Sequence, residues 1–198
     1  MSPKTVITIF DYGAGNIHSL AKALDTGDGV KVRLECDPIA ALATDALVLP
    51  GVGAFSNASA RLSHGLQQMR DAILGGLPTL GICLGMQLLF DSSEEGEGHG
   101  LGVIPGRVRK LRARRVPQIG WNEVESLDES LPKVAYFANS YVCEPESEDC
   151  IVAYTSHEHD RFASVVTVGN AIGVQFHPEK SSTAGVSFVR DFVHGVFR

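Results

Sequence analysis

The stretch Gly81-Ile82-Cys83-Leu84-Gly85 predicts a sharp turn between a buried strand and a helix. Residues 77–82 read as a short apolar strand that begins near a proline, and residues 84–90 carry good helix formers at helical spacing. The glycines two residues to either side of Cys83 permit the strained turn known as a nucleophile elbow. A thiol at such a turn meets the positive end of the following helix, which favours the reactive thiolate. We therefore predict that Cys83 is a nucleophile rather than a core cysteine.

Strand and helix signals alternate over the first ninety residues, which is typical of βαβ units. The predicted strands are residues 6–10, 30–34, 46–49 and 77–82, and the predicted helices are residues 16–24, 38–43 and 58–74. Such units build a parallel sheet with helices on both faces, and ligands bind at the carboxyl ends of its strands. Asp11, the loop Pro50-Gly51-Val52-Gly53 and Cys83 are expected at that edge.

The second half of the chain reads as short strands separated by glycine, proline, asparagine and aspartate. The predicted strands are residues 101–111, 118–124, 135–143, 151–155, 163–168 and 171–176, and residues 184–197 form a closing amphipathic helix. No internal repeat or linker marks a boundary. The expected fold is therefore one α/β domain over residues 1–198, with a doubly wound, mostly parallel sheet and an antiparallel extension.

The composition of the chain argues against a nucleic-acid-binding, a metal-binding, a secreted or a membrane-spanning protein. The chain has 198 residues, 44% of them hydrophobic and 20% charged, as in a soluble globular domain. Its net charge of −6 argues against a nucleic-acid partner, and the basic run at residues 107–115 reads as a strand with a solvated basic face. The four cysteines form no CxxC pair, so neither a metal site nor a disulfide framework is expected. The start of the chain lacks a secretory pattern, and no apolar run reaches the roughly 18 residues of a membrane span, so we expect a cytoplasmic protein.

His177 is the strongest candidate base for a Cys83 nucleophile, which needs a base and a group that orients the base. His177-Pro178-Glu179 directly follows a predicted apolar strand. Residues i and i+2 of an extended segment point to the same side, so the Glu179 carboxylate can reach the imidazole ring. A carboxylate in that position fixes the tautomer and stabilises the imidazolium. We predict a triad of Cys83, His177 and Glu179.

Acyl transfer also needs hydrogen-bond donors for the developing oxyanion. One predicted donor is the backbone N–H of Leu84, directly after the nucleophile. The other source is the glycine loop at residues 50–53, where bare backbone can approach a substrate or rotate its peptide planes.

Six motifs along nearly the whole chain together resemble the class-I, triad-type glutamine amidotransferases. They are Asp11-Tyr12-Gly13-Ala14-Gly15-Asn16, Leu49-Pro50-Gly51-Val52-Gly53-Ala54-Phe55, Gly81-Ile82-Cys83-Leu84-Gly85-Met86-Gln87, Pro117-Gln118-Ile119-Gly120-Trp121-Asn122, Tyr136-Phe137-Ala138-Asn139-Ser140-Tyr141 and Gly173-Val174-Gln175-Phe176-His177-Pro178-Glu179-Lys180-Ser181. The segments around Asn16, Trp121 and Tyr141 are most similar to the glutaminase subunits of imidazole glycerol phosphate synthase, in histidine biosynthesis.

The resemblance implies a flavodoxin-like fold and hydrolysis of glutamine to glutamate and ammonia through a cysteinyl thioester, with no cofactor and no metal. Cys83 would attack the side-chain amide, and His177, oriented by Glu179, would give a proton to the leaving ammonia and then activate water. The implied oxyanion contacts are Gly51, Val52 and Leu84. The implied glutamine-binding positions are Gly53, Gln87, Glu95, Ser140 and Tyr141.

The resemblance also implies a partner, a (β/α)₈-barrel cyclase subunit that forms a heterodimer with this chain and receives ammonia through an internal tunnel. The positions implied at the interface or the ammonia gate are Asn16, Trp121, Tyr136 and Lys180. The family usually has histidine where Gln118 and Asn139 stand, but neither position belongs to the triad.

Two alternatives stay open. A glutaminase subunit of pyridoxal phosphate synthase shares the size, fold and triad, but residues 117–122 and 136–141 argue against it. A catalytically silent scaffolding subunit is the other, and the intact set of Cys83, His177 and Glu179 argues against that.

Overall fold

The structure is a computed structural model that describes residues 5–13, 17–27, 29–51 and 53–195. The strands are β1 (Thr5–Phe10), β2 (Val30–Glu35), β3 (Ala46–Leu49), β4 (Thr79–Ile82), β5 (Ser92–Ser93), β6 (Gly106–Lys110), β7 (Gln118–Glu123), β8 (Val134–Asn139), β9 (Tyr141–Pro145), β10 (Ile151–His157), β11 (Asp160–Val168) and β12 (Ala171–Val174). The α-helices are α1 (His18–Leu24), α2 (Phe55–Leu62), α3 (Leu66–Leu74), α4 (Leu84–Gln87) and α5 (Ser182–Gly195), and short 3₁₀ turns occur at Ala40–Leu42, Glu148–Cys150 and Pro178–Lys180.

The large sheet combines a parallel part and an antiparallel part, as the sequence predicts. Its strand order is β2-β1-β3-β4-β12-β11-β9-β6-β5, and β10 pairs with β11. The strands from β2 to β12 in this order are parallel to their neighbours. Strand β11 is antiparallel to β12, β9 and β10, and β9 is antiparallel to β6. Strands β7 and β8 form a separate antiparallel ribbon.

Helices cover both faces of the parallel part, because the apolar side chains of its strands alternate between two cores. On one face Ile7 and Ile9 of β1 pack in a cluster with residues of α1 and α5. On the other face Leu47 and Leu49 of β3 pack in a cluster with residues of α2 and α3. The central strands β3 and β4 are therefore buried on both sides, which explains their nearly continuous apolar sequence, whereas the edge strand β2 is partly exposed and alternates apolar with charged residues. Among the described residues, no helix is long and apolar enough to cross a bilayer.

The predicted helix over residues 58–74 is wrong as a single element. Helices α2 and α3 replace it, and the chain breaks at residues 63–65 between them. A Cβ atom on Gly65 would lie 2.8 Å from Cγ of Pro38, so the break packs tightly against a distant loop. His64 Nε2 also lies 3.0 Å from the Asp37 carboxylate, which ties the break to the same loop.

Three predictions, one after the elbow and two in the second half of the chain, also need correction. Helix α4 spans only Leu84–Gln87, because the following carbonyl groups of Leu88 and Phe90 accept hydrogen bonds from the backbone of residues 101 and 102. The predicted strand over residues 135–143 is two strands, β8 and β9, which separate at Ser140 because they join different sheets. The strand predicted over residues 101–111 is limited to β6.

The basic run at residues 107–115 is not simply a solvated face. Arg109 is buried and donates two hydrogen bonds to the Asp160 carboxylate, at 2.7 and 2.8 Å. Burial raises the pKa of Asp160, but hydrogen bonds from Arg109 and from the Arg112 N–H outweigh it and hold that pKa below its ordinary value. The pair connects β6 to β11, two strands that do not pair directly in the sheet.

We expect Asp160→Asn to lower the free energy of unfolding by about 3 kcal/mol, because it leaves the buried Arg109 charge without its main partner. Urea unfolding followed by circular dichroism measures the change. The control is Glu125→Gln, which removes the exposed ion pair with Arg161 and should cost less than about 1 kcal/mol. Equal losses in the two variants would contradict this assignment.

Candidate active site

The carboxyl ends of four adjacent parallel strands bring the predicted functional segments to one edge of the sheet. Asp11 follows β1, residues 50–53 follow β3, and Cys83 follows β4. Strand β12 lies on the other side of β4, and residues 175–177 follow it. Residues far apart in the sequence therefore meet because their strands are neighbours in the same direction.

Cys83 occupies a strained backbone conformation. Its φ is 47° and its ψ is −102°, in a region that costs a residue with a Cβ roughly 1–3 kcal/mol. The Cys83 N–H donates to the Val174 carbonyl at 2.7 Å, which fixes the turn against the end of β12. Gly85 lies so close to β3 that a Cβ atom there would overlap the Leu49 carbonyl oxygen. The predicted elbow is therefore present, and packing on both neighbouring strands holds it.

The His177 ring lies between Cys83 and Glu179. Its Nδ1 is 2.9 Å from Glu179 Oε1, and the exposed fractions of the two side chains are only 3% and 9%. Gly51 provides the space for the ring, since a Cβ atom at that position would lie 2.9 Å from His177 Cε1 and 3.0 Å from Cys83 Cβ. The backbone of Gly51 therefore lies close to both the Cys83 side chain and the imidazole.

The electrostatics favour a charged imidazole. Burial lowers the pKa of His177, but hydrogen bonds to Cys83 and Glu179, together with the charges of those groups, outweigh it and raise the pKa to about 9. The imidazolium is thus stabilised at neutral pH, as a group that must donate a proton to a leaving amine requires.

A cavity of about 360 Å³ opens over these groups. It is lined by most of the residues that the sequence singled out, together with Ala138 and Asn139: Gly51, Gly53, Cys83, Leu84, Gln87, Glu95, Ser140, Tyr141, His177 and Lys180. Its volume lies within the ordinary range for small-molecule sites. Among the described residues, no group of three or more His, Cys, Asp or Glu side chains could hold a metal ion.

Two of the expected glutamine-binding side chains already have contacts inside the protein. Gln87 Nε2 donates to the Tyr141 carbonyl at 3.2 Å, and Glu95 accepts a hydrogen bond from the Phe55 N–H at 2.9 Å. One carboxylate oxygen of Glu95 is therefore used to hold α2, while the side chain still lines the cavity. Ser140 lies in the cavity wall because the chain leaves β8 and enters β9 at that residue.

Some predicted residues lie elsewhere. Val52 and Asn16 fall outside the described residues. Trp121 and Tyr136 do not line the cavity; they are cross-strand partners on β7 and β8, with their rings in edge-to-face contact at 6.2 Å. Trp121 is 56% exposed. The backbone of Tyr136, unlike its ring, contacts the site, because its carbonyl accepts a hydrogen bond from the His177 N–H at 2.8 Å.

Gln175 and Ser181 belong to the site but were not predicted from the sequence. Gln175 Nε2 lies 3.4 Å from Cys83 Sγ, and the alternation that links His177 to Glu179 also places Gln175 on that side. The Ser181 hydroxyl donates to the His177 carbonyl at 2.7 Å and accepts from the Tyr136 N–H at 2.8 Å. No pattern in the sequence indicated this bridge, because Ser181 and Tyr136 are 45 residues apart.

Comparison with known proteins gives the class. Residues 8–196 match the family model described as glutamine amidotransferase class-I. The chain therefore belongs to the class-I glutamine amidotransferase family. Two solved structures from Thermotoga maritima share its fold: PurLQS, with a TM-score of 0.72 at 14% identity over 98% of this chain and 100% of that one, and a glutamine amidotransferase, with a TM-score of 0.65 at 17% identity over 100% and 85%.

Curated relatives define the group within the class. The chain is 41% identical to imidazole glycerol phosphate synthase subunit HisH of Synechocystis sp., over 96% of each protein. It is 40% identical to the protein of the same name from Gloeobacter violaceus, over 94% of this chain and 88% of that protein. At this similarity the chain also belongs to the HisH family.

We expect the His177 ring to titrate near pH 9 in the folded protein and Glu179→Gln to lower that midpoint by about 1 unit, because the carboxylate stabilises the imidazolium. NMR of the ring Cε1 proton gives both values. A folded-state pKa above the ordinary 6.5 stabilises the fold fully below pH 6.5, and this stabilisation is lost as the pH rises through 9. The stability difference between wild type and Glu179→Gln should therefore shrink over that window. Identical His177 midpoints in wild type and Glu179→Gln would contradict the conclusion that the Glu179 carboxylate stabilises the imidazolium.

Proposed function

We propose that this chain hydrolyses glutamine to glutamate and ammonia and supplies the ammonia to a cyclase subunit that makes imidazole glycerol phosphate. The observation that carries the proposal is a cavity lined by Cys83, on its strained turn, and by the charged imidazole of His177, whose ring contacts the Glu179 carboxylate. Membership of the class-I glutamine amidotransferase family and of the HisH family supports it.

The proposed reaction has two halves. The His177 imidazolium holds the proton of the Cys83 thiol before the reaction starts, and Sγ attacks the side-chain amide carbon of glutamine as a thiolate. The tetrahedral intermediate collapses as the imidazolium of His177 protonates the leaving ammonia, which leaves a γ-glutamyl thioester on Cys83. His177 then removes a proton from water, the resulting hydroxide attacks the thioester, and glutamate leaves as the thiol is restored. Glu179 keeps the ring in one orientation throughout.

Backbone N–H groups stabilise the oxyanion in both halves. Leu84 and Gly51 line the cavity beside Cys83, as this role requires. Val52 enters the proposal through the family resemblance alone. The charged ends of the substrate would meet Glu95, which suits its ammonium group, and Ser140, Tyr141 and Gly53 near its carboxylate, with Gln87 between them.

The outer face of β7 and β8 is the proposed docking surface for a (β/α)₈-barrel cyclase partner. Ile119 and Trp121 are 67% and 56% exposed. They are two residues apart on β7, so these large apolar side chains lie on the same face and together form an exposed apolar patch. Tyr136 connects this face to the site, because its backbone carbonyl accepts a hydrogen bond from the His177 N–H. Lys180 lines the cavity and suits a role at the ammonia exit. Direct transfer matters, because free ammonia is protonated at neutral pH and loses its nucleophilic lone pair.

The heterodimer and a cytoplasmic location belong to the same proposal. A glutaminase for pyridoxal phosphate synthesis is disfavoured by the names of the relatives, which are synthase subunits for imidazole glycerol phosphate. A silent scaffold is disfavoured by the complete set of reactive groups at the cavity.

We expect Cys83→Ala to lose glutamine hydrolysis nearly completely, by at least about a thousandfold, because Cys83 is the group that forms the thioester. Glutamate release measures the loss. Cys143→Ala is the matched control: this thiol is also buried, burial raises its pKa, and it does not line the cavity, so its removal should leave turnover near the wild-type value. Unchanged turnover in Cys83→Ala would falsify the nucleophile assignment.

We expect a cyclase barrel with its ribonucleotide substrate to raise glutamate release about 5- to 150-fold, the range typical of allosteric coupling. Stimulation by a pyridoxal phosphate synthase barrel instead would refute the assignment to histidine biosynthesis.

Trp121→Ala should weaken binding of the barrel about 30-fold, as loss of an exposed aromatic anchor does. Leu74→Ala, at an exposed position on α3, whose apolar residues pack on the other face of the sheet, is the control and should bind normally.

A further inference from the structure

Gln175 contacts the reacting sulfur, although it lies outside the proposed triad. Its Nε2 lies 3.4 Å from Cys83 Sγ, within the range of a hydrogen bond to sulfur. The Gln175 side chain is fully buried, and its backbone N–H donates to the Ser164 carbonyl of β11 at 2.9 Å. Both the position of the amide and its isolation from water are therefore set by the sheet.

The direction of the amide is fixed by a relay that begins at a backbone carbonyl. The Tyr141 carbonyl can only accept a hydrogen bond, so the group of Gln87 that faces it at 3.2 Å must be its NH₂. The second hydrogen of that NH₂ is available to Gln175 Oε1, at 3.4 Å. With its oxygen facing Gln87, Gln175 must turn its own NH₂ towards Cys83. Reversing either amide would place two donors or two acceptors against each other.

Asn139 strengthens the start of this relay. Its Nδ2 donates to the same Tyr141 carbonyl at 3.1 Å, so both lone pairs of that oxygen have a donor. Gln175 is fully buried, and Gln87 and Asn139 are buried at the wall of the cavity. Asn139 Oδ1 has no hydrogen-bond partner among the described residues, but reversing the Gln87 or the Gln175 amide would lose the hydrogen bonds that join them, so the network favours this arrangement.

We propose that Gln175 is a catalytic residue that donates a hydrogen bond to the Cys83 thiolate and stabilises it before attack, with Gln87 and the Tyr141 carbonyl orienting the donor. The proposal rests on the proposed nucleophile role of Cys83. Gln175 itself transfers nothing: the thiol proton passes to the His177 ring, and the Gln175 N–H faces the negative charge that remains on sulfur. A donor that meets a charged acceptor favours the charged form.

The other titratable groups around the sulfur do not replace this contact. Burial raises the pKa of Tyr12, from the end of β1, and of Cys143, from β9, so both stay neutral near pH 7. Glu179 acts on the sulfur only through His177, its hydrogen-bond partner. Among the described residues, His177 and Gln175 are thus the two side chains with a hydrogen bond to the sulfur.

The test is the pH dependence of alkylation of Cys83 in the full chain by iodoacetamide, followed by mass spectrometry of the peptide that contains Cys83. Gln175→Met keeps the volume but removes the donor, and we expect the midpoint to rise by about 1 unit. The kcat for glutamine should fall about tenfold while KM changes less than about twofold, because a contact to the sulfur acts on the reaction rather than on binding.

The matched control is Gln118→Met. Gln118 is also a buried glutamine, and its amide atoms have no hydrogen-bond partner among the described residues, so its alkylation midpoint should equal that of wild type. If Gln175→Met fails to fold, Gln87→Met tests the same relay, because the unoriented Gln175 amide should give a smaller rise in the midpoint.

An unchanged midpoint in folded Gln175→Met, or in Gln87→Met where Gln175→Met does not fold, would overturn the proposal. An equal rise in Gln118→Met would do the same, since it would reflect general loosening of the core. The alkylation profile is measured without glutamine, so its result does not depend on glutamine hydrolysis. Failure of the proposed function would appear in a different experiment, as retained turnover in Cys83→Ala.

Discussion

The parallel pairing of β4 with β12 is the constraint on which the site depends. Ile82 pairs with Val174 at the carboxyl ends of these strands, and the Cys83 N–H continues the ladder to the Val174 carbonyl at 2.7 Å. The thiol and the imidazole are distant in the sequence, but each lies within a few residues of that last pair. A shift of one residue in this register would turn the side chains of one strand to the opposite face and separate the two groups.

The same pairing explains why strain and buried polar groups are tolerated here. The unfavourable φ of Cys83 and the close approach of Gly85 to β3 persist because strands on both sides hold the turn. Hydrogen bonds also support the turn from behind, since the Ser181 hydroxyl joins the His177 loop to β8. Strand β8 pairs with β7, which carries the exposed Trp121, and the Tyr136 carbonyl of β8 also accepts the hydrogen bond of the His177 N–H. The exposed face and the imidazole are therefore connected through one strand. A partner docked there would act on the base through backbone hydrogen bonds rather than through a long path.

The sequence pattern was sufficient for the strands of the parallel half of the fold, because most of them are short apolar runs and the edge strand β2 alternates apolar with charged residues. It also placed the segments at one edge of the sheet, including the elbow and the residues from His177 to Glu179. It failed where a distant contact decides the local structure. The helix break at Gly65 depends on Pro38, and the burial of Arg109 depends on Asp160. The Gln175 contact was missed because its partners, Gln87 and Cys83, are set by packing rather than by spacing.

The most direct test of the account is the rate at which a chloroketone analogue of glutamine labels the protein, in wild type and in His177→Asn. The account predicts one label, on Cys83, that glutamine prevents. It also predicts labelling at least about a hundredfold slower in His177→Asn, because the imidazole takes the thiol proton. Labelling of Cys83 at the same rate in both proteins would contradict the account, since the β4–β12 pairing would then not bring the ring within reach of the sulfur.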